Sequence, residues 1–192
     1  NNNNNNNKSK QIKLNETIPD EELSEIERTI RYCKSTIGLQ RLINVKILGD
    51  VCILAGYEAT RKHAIPFLES ISGDSEVSIR QNLCPQVTKI AKFCVSHGAE
   101  DGYRAVLDII LPVMAHLLED EKQEVRQAAC STVVSFSTIL TPLDLGQHVL
   151  TIILQLAHDD MNEDMRITAV ELLNSLAESL GSDLCRQFII PE

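Results

Sequence analysis

Apolar residues recur along this chain at helical spacing and nowhere in sustained period-two alternation, so the pattern predicts helices and no sheet. Ile79, Leu83, Val87, Ile90, Ala91 and Cys94 form one such stripe, and Val125, Ala128, Ala129, Val133 and Phe136 another. A third runs Met165, Ala169, Leu172, Leu173, Leu176, Ala177 and Leu180. Ahead of the second lies an equally periodic run, Val106, Ile109, Ile110, Val113, Met114, Leu117 and Leu118, with Pro112 inside it. A proline there removes one backbone donor, and the expectation is a kink rather than a stop. Ser96 to Gly102 and Thr141 to Gly146 carry Gly, Pro and Asp and read as boundaries between pairs of helices.

The pairs repeat. Ile65-Pro66, Asp74 and Ile79-Arg80 align without gaps on Leu111-Pro112, Asp120 and Val125-Arg126, and then on Thr151-Ile152, Asp160 and Met165-Arg166. The arginines stand 46 and 40 residues apart. A weaker copy upstream puts Arg41 at the arginine position and Ser35 where the Asp belongs. The predicted architecture is an all-α solenoid of about four helical hairpins, the first degenerate and a fifth truncated. Its units are 19–57, 58–98, 99–141 and 142–182, with the start of another at 183–192.

The ends read differently. Residues 1–18 open with seven asparagines and continue polar, a composition that cannot bury enough apolar surface to offset ordering, so disorder is expected. No initiating Met is present, and Phe188, Ile189 and Ile190 look like the opening of a unit without its second helix. The expectation is a piece of a longer chain whose open apolar end leaves it marginally stable or self-associating.

Helical hairpins of about forty residues with a proline in the first helix, then an Asp, then a hydrophobic-Arg pair, resemble HEAT repeats. Pro66, Asp74, Ile79 and Arg80 match that pattern, as do Pro112, Asp120, Val125 and Arg126; the fourth unit departs with Ile152 and Met165. Around Asp74 to Cys94 and Ile110 to Arg126 the chain is also similar to the HEAT-repeat regulatory subunits of phosphatase 4, relatives of the phosphatase 2A scaffold. That resemblance implies a non-catalytic protein that holds the catalytic subunit of a phosphatase and helps to choose its substrates, with the inter-helix turns as contact points. The alternative is a transport receptor of the importin type, which holds basic cargo.

The turn residues have their own chemistry. An Asp at the start of the second helix can accept free backbone N–H groups and faces the positive helix end. The Arg a turn and a half on can reach the Asp of a neighbouring unit. Asp74, Arg80, Asp120, Arg126, Asp160 and Arg166 are therefore expected to form a ladder of charge-assisted bonds. The turns are also unusually acidic: Glu76 joins Asp74, Glu119, Glu121 and Glu124 flank Asp120, and Asp159, Glu163 and Asp164 flank Asp160. Helix-end charge complementarity explains one or two acids per turn, not four. Glu76, Glu119, Glu121, Glu124, Asp159, Glu163 and Asp164 are thus expected to line a ridge that docks a basic protein surface.

Charge and composition narrow the field. Against 27 Asp+Glu stand 18 Lys+Arg, a net charge of −9, which opposes nucleic-acid binding. The longest apolar stretch, Val106 to Leu118, carries Asp108 and is too short to span a membrane. Cys33, Cys52, Cys84, Cys94, Cys130 and Cys185 include no C-x-x-C pair; four of the six fall in predicted helix cores, where Cys is a small hydrophobe, and all fit a reducing compartment, cytoplasm or nucleus. Cys94-x-x-His97 is half a zinc site with no second half. No His is followed by Glu, which counts against the iron-dependent HEAT-like hydroxylases, and no phosphate loop or nucleophile elbow occurs. No catalytic residue, metal site or cofactor is expected.

Overall fold

The computed structural model describes residues 19–188, with side chains to Ala177, and the expectations for 1–18 and 189–192 lie outside it. Eight helical rods form four hairpins among the described residues, with no strand. They are α1 (Glu25–Tyr32) and α2 (Gly38–Ala55); α3 (short segments from Tyr57–Ala59 to Leu68–Ser72) and α4 (Val77–His97). Then come α5 (Ala99–Ala105 through Leu111–Leu118) and α6 (Gln123–Phe136), and α7 (Pro142–Asp144 through Leu150–Ala157) and α8 (Glu163–Phe188). The fold is an all-α solenoid of stacked hairpins. Helix α8 runs unbroken across position 182, where the sequence pattern puts a unit boundary.

Local chemistry sets the rod ends. Ser24 and Glu27 close a capping box at the start of α1. Gly56, at φ +87°, ends α2 in a conformation that a side chain disfavours, and the chain turns at once into α3.

The first helices of the second, third and fourth hairpins each widen into a five-residue π turn: Thr60–Ala64, Val106–Ile110 and Leu145–Val149. In α3 and α5 the turn ends two residues before Pro66 and Pro112, as the expected break in the helical ladder requires. In α7 the residue at that spacing is Thr151, and the π turn forms without a proline. The widened turn thus belongs to the repeat geometry, and proline accommodates it.

Helices α2, α4, α6 and α8 lie side by side in one row, and the first helices pack against them. A single apolar core runs through the stack, with Leu48, Leu83, Val87, Ile90, Met114, Leu117, Val133 and Phe136 fully buried. Close approach needs a missing side chain where α2 crosses α4. The Gly49 N–H donates to Gln86 Oε1 at 3.1 Å, and a Cβ on Gly49 would stand 2.9 Å from that oxygen. At the other end Val170 on α8 is 57% exposed, while Cys84 and Cys130, at the same distance from their arginines, are buried.

The five cysteines with described side chains pack in this core. Burial pushes the thiols of Cys33, Cys52, Cys84 and Cys130 up to about 12 and that of Cys94 to about 11. Native protein at pH 8 is expected to leave these five unalkylated by iodoacetamide, while urea exposes all of them. Peptide mapping by mass spectrometry reads this directly; rapid native labelling of Cys84 would contradict the packing.

Candidate functional site: the inter-helix turns

The turns between paired helices are built to one plan. The Asp74 carboxylate accepts from the Glu76 N–H at 2.9 Å, and that of Asp120 from the Lys122 N–H at 2.9 Å. Glu76 and Lys122 are the residues just before their helices, so each Asp closes the turn ahead of the helix rather than capping its first turn. In the first unit the Ser35 hydroxyl does the same for the Ile37 N–H at 3.0 Å. The arginine six residues on then donates Nη1 to the main-chain carbonyl of that same residue: Arg41 to Ser35, Arg80 to Asp74 and Arg126 to Asp120.

The remaining guanidinium edge crosses to the next unit. Arg41 donates from Nε and Nη2 to Asp74 at 2.7 and 3.0 Å, and Arg80 to Asp120 at 2.6 and 2.9 Å. The forked guanidinium matches both carboxylate oxygens, which makes these the strongest polar links between units. The Arg80–Asp120 side chains are only 9% and 7% exposed. Burial alone would raise the Asp120 carboxyl, but the bonds from Arg80 and the Lys122 N–H outweigh it and hold the pKa below the usual carboxylate value. Ser35 has every turn bond of an Asp but no charge, and no described unit precedes it to send an arginine.

The fourth unit corrects the sequence reading. Arg126 does not meet Asp160; it donates Nε to the Thr168 hydroxyl at 3.1 Å and pairs through Nη2 with Asp164 at 3.2 Å. Asp159 holds the turn position, accepting from the Met161 and Asn162 N–H groups, while its carbonyl receives Arg166 Nη1 at 2.6 Å. The turn contains one extra residue, so helix α8 begins four residues after Asp159, not three. Asp160 is exposed and takes no part in the ladder.

The predicted ridge divides accordingly. Asp159 is occupied inside its turn, and Asp164 is bound to Arg126 although 61% exposed. Glu76, Glu119, Glu121, Glu124 and Glu163 are exposed beside the ladder. Lys122 approaches Glu121 to 3.7 Å, and the other four make no ion pair with a described residue. Because the ladder joins the turns in sequence, these glutamates form a row along one edge.

A second series of links, which the sequence reading missed, lies at the starts of the first helices. The Tyr57 hydroxyl donates to Asp101, where Arg61 Nε also arrives at 3.1 Å, and the Tyr103 hydroxyl donates to Asp144. The Thr141 N–H in turn donates to the Tyr103 oxygen at 2.9 Å. Tyr57 and Tyr103 are 46 residues apart, the same step as Arg80 and Arg126, so the signal was present. Hydrogen bonds from Tyr57 to Asp101 and from Thr141 and Tyr103 to Asp144 hold both carboxyls low.

These lowered carboxyls fix the sign of the acid response. Each contributes stability that is fully present above its unfolded pKa of about 3.9 and is lost as pH falls through the lower folded value. Melting temperature is therefore expected to hold from neutrality to about pH 5 and to fall below about pH 4. In Asp120→Asn the part of that fall due to this carboxyl disappears; an unchanged acid profile would contradict its lowered pKa.

The Cys94–His97 pair shows no ligand geometry. Cys94 is buried, and the His97 ring stacks on Phe93 with centroids 4.6 Å apart, its Nδ1 3.3 Å from the Phe93 carbonyl. No group of three potential metal ligands occurs among the described residues, and no described helix is long and apolar enough to cross a membrane.

Comparison with known proteins agrees with the repeat architecture. The HEAT-repeat family model matches residues 110–140. Serine/threonine-protein phosphatase 4 regulatory subunit 1 from Rattus norvegicus is 24% identical over 90% of this chain and 18% of its own length. The beta isoform of the human 65 kDa regulatory subunit of serine/threonine-protein phosphatase 2A is 25% identical over 64% of this chain and 20% of its own. The chain thus spans about a fifth of the relatives it matches, which are regulatory and not catalytic subunits. Among solved structures, Cex1p superposes with a TM-score of 0.61 at 20% identity, covering 88% of this chain and 32% of that one, a likeness of fold.

Proposed function

We propose that this chain is a non-catalytic regulatory segment of a 2A-like serine/threonine phosphatase of the phosphatase 4 type. It docks the catalytic subunit through the glutamate row of its inter-helix turns. One observation carries the reading: the ladder neutralises Asp74, Asp120 and Asp164 internally and leaves Glu76, Glu119, Glu124 and Glu163 exposed with no ion pair to a described residue. Charge that serves no internal bond and is collected along one edge attracts and orients a basic partner surface. The relatives' character as regulatory subunits of phosphatases 4 and 2A supports the choice of partner.

The test is capture of purified phosphatase 4 and phosphatase 2A catalytic subunits by the immobilised chain. Selective retention of the phosphatase 4 subunit, weakened by salt, is the expected result. Retention of neither overturns the proposal, and equal retention of both overturns the phosphatase 4 assignment.

A further inference from the structure

A shallow groove of about 520 Å³ runs between α4 and α6, and its reading does not depend on that of the glutamate row; none of the residues lining it is charged. Its walls include Gln81, Asn82, Pro85 and Thr88 from α4 and Ser131 and Ser135 from α6. Pro85 stands in the middle of the 21-residue α4. It has no N–H, so the Gln81 carbonyl at the groove lacks its usual helical donor.

The hydroxyls there have already spent their hydrogens, and Asn82 has spent one of its two. Asn82 Nδ2 donates to the Ser78 carbonyl at 2.7 Å, Ser131 Oγ to Gln127 at 3.1 Å and Ser135 Oγ to Thr132 at 2.6 Å. Thr88 Oγ1 points to the Cys84 carbonyl at 3.5 Å. What they offer outward is mostly oxygen. At one end Ser135 Oγ lies 3.5 Å from Thr88 Oγ1, where the two helices meet; the other end opens past Gln81 and Asn82. The groove is thus neutral, one-ended and rich in acceptors, with the Gln81 carboxamide and the second Asn82 N–H supplying donors at its mouth.

We propose that this groove binds an extended, uncharged peptide segment of a partner protein. Main-chain N–H groups of the segment reach the Gln81 carbonyl and the Asn82 and Ser131 oxygens. An extended main chain presents N–H groups at regular spacing and needs no charge to be recognised, whereas an acidic segment would meet mostly acceptor oxygens and no cation, and bind less well.

The test pans the whole chain against a displayed library of random dodecapeptides, then compares two variants. Pro85→Ala restores the helical donor to Gln81, so it should melt no lower than the parent. Ser131→Trp fills the groove from an exposed position. The expected result is enrichment of peptides poor in Asp and Glu, with capture reduced about tenfold in Pro85→Ala, the weight of one main-chain hydrogen bond. In Ser131→Trp capture should be lost altogether. No enrichment over the naive library overturns the proposal, and so does full capture by both variants.

Discussion

Arg80→Ala is expected to lower stability by about 3 kcal/mol and the melting temperature by roughly 6–12 °C. The figure takes the low end for breaking a buried pair, because both side chains retain some contact with solvent. Three bonds go at once: the two to Asp120 and the one to the Asp74 carbonyl. The larger part of the cost is the Asp120 carboxylate, left almost buried with only the Lys122 N–H to satisfy it. Removing both partners relieves that charge, so Arg80→Ala/Asp120→Ala should lose clearly less than the sum of the single variants. Lysine should not rescue, since an ammonium cannot span both carboxylate oxygens and the Asp74 carbonyl. Chemical denaturation of the four proteins checks this. Additive losses would mean that the pair holds no energy between units.

Gly102→Ala is expected to cost about 3 kcal/mol, the upper end for overpacking. Gly102 donates its N–H to the Gly98 carbonyl at 2.8 Å where α4 ends and α5 begins. A Cβ on Gly102 would overlap the Cys94 carbonyl, and one on Gly98 would overlap the Tyr57 ring. The obstacle at Gly102 is backbone, so no rotamer change relieves it. The helices must part, loosening the Tyr57–Asp101 link beside them. Thermal melting with Gly56→Ala alongside separates this from conformational strain, because Gly56 is at positive φ but has nothing near its Cβ. A Gly102→Ala variant melting with the parent would contradict the close approach.

The helices and the repeat were legible because apolar periodicity and the Asp–Arg spacing are both local signals. Arg80 and Asp120 were expected to meet from spacing alone, and they do at 2.6 Å. The fourth unit was not legible. Aligned on Arg166, the sequence points to Asp160, and only the geometry shows an extra turn residue that returns the role to Asp159. Thr151, eight residues before Asp159, carries the same spacing that Pro66 and Pro112 have to Asp74 and Asp120, but without a proline there was no marker for it. The division of the acidic turns into aspartates bound in the ladder, Asp74, Asp120 and Asp164, and exposed glutamates beside it was likewise hidden, since charge counts treat both alike. Pro85 drew no attention because its neighbours Leu83 and Val87 keep helical spacing through it.

The most direct measurement is made on one variant, with Glu76, Glu119, Glu124 and Glu163 all changed to Lys and the ladder residues, Asp164 among them, left in place. Its capture of the purified phosphatase 4 catalytic subunit is read on the same preparation as its melting temperature. The expected result is capture lost with melting within a few degrees of the parent, since surface substitutions away from bonded groups change stability by about 0.5 kcal/mol or less each, in either direction. Capture at full strength would contradict a docking role for the glutamate row, and a fall in melting as large as that of Arg80→Ala would show those glutamates to be part of the fold.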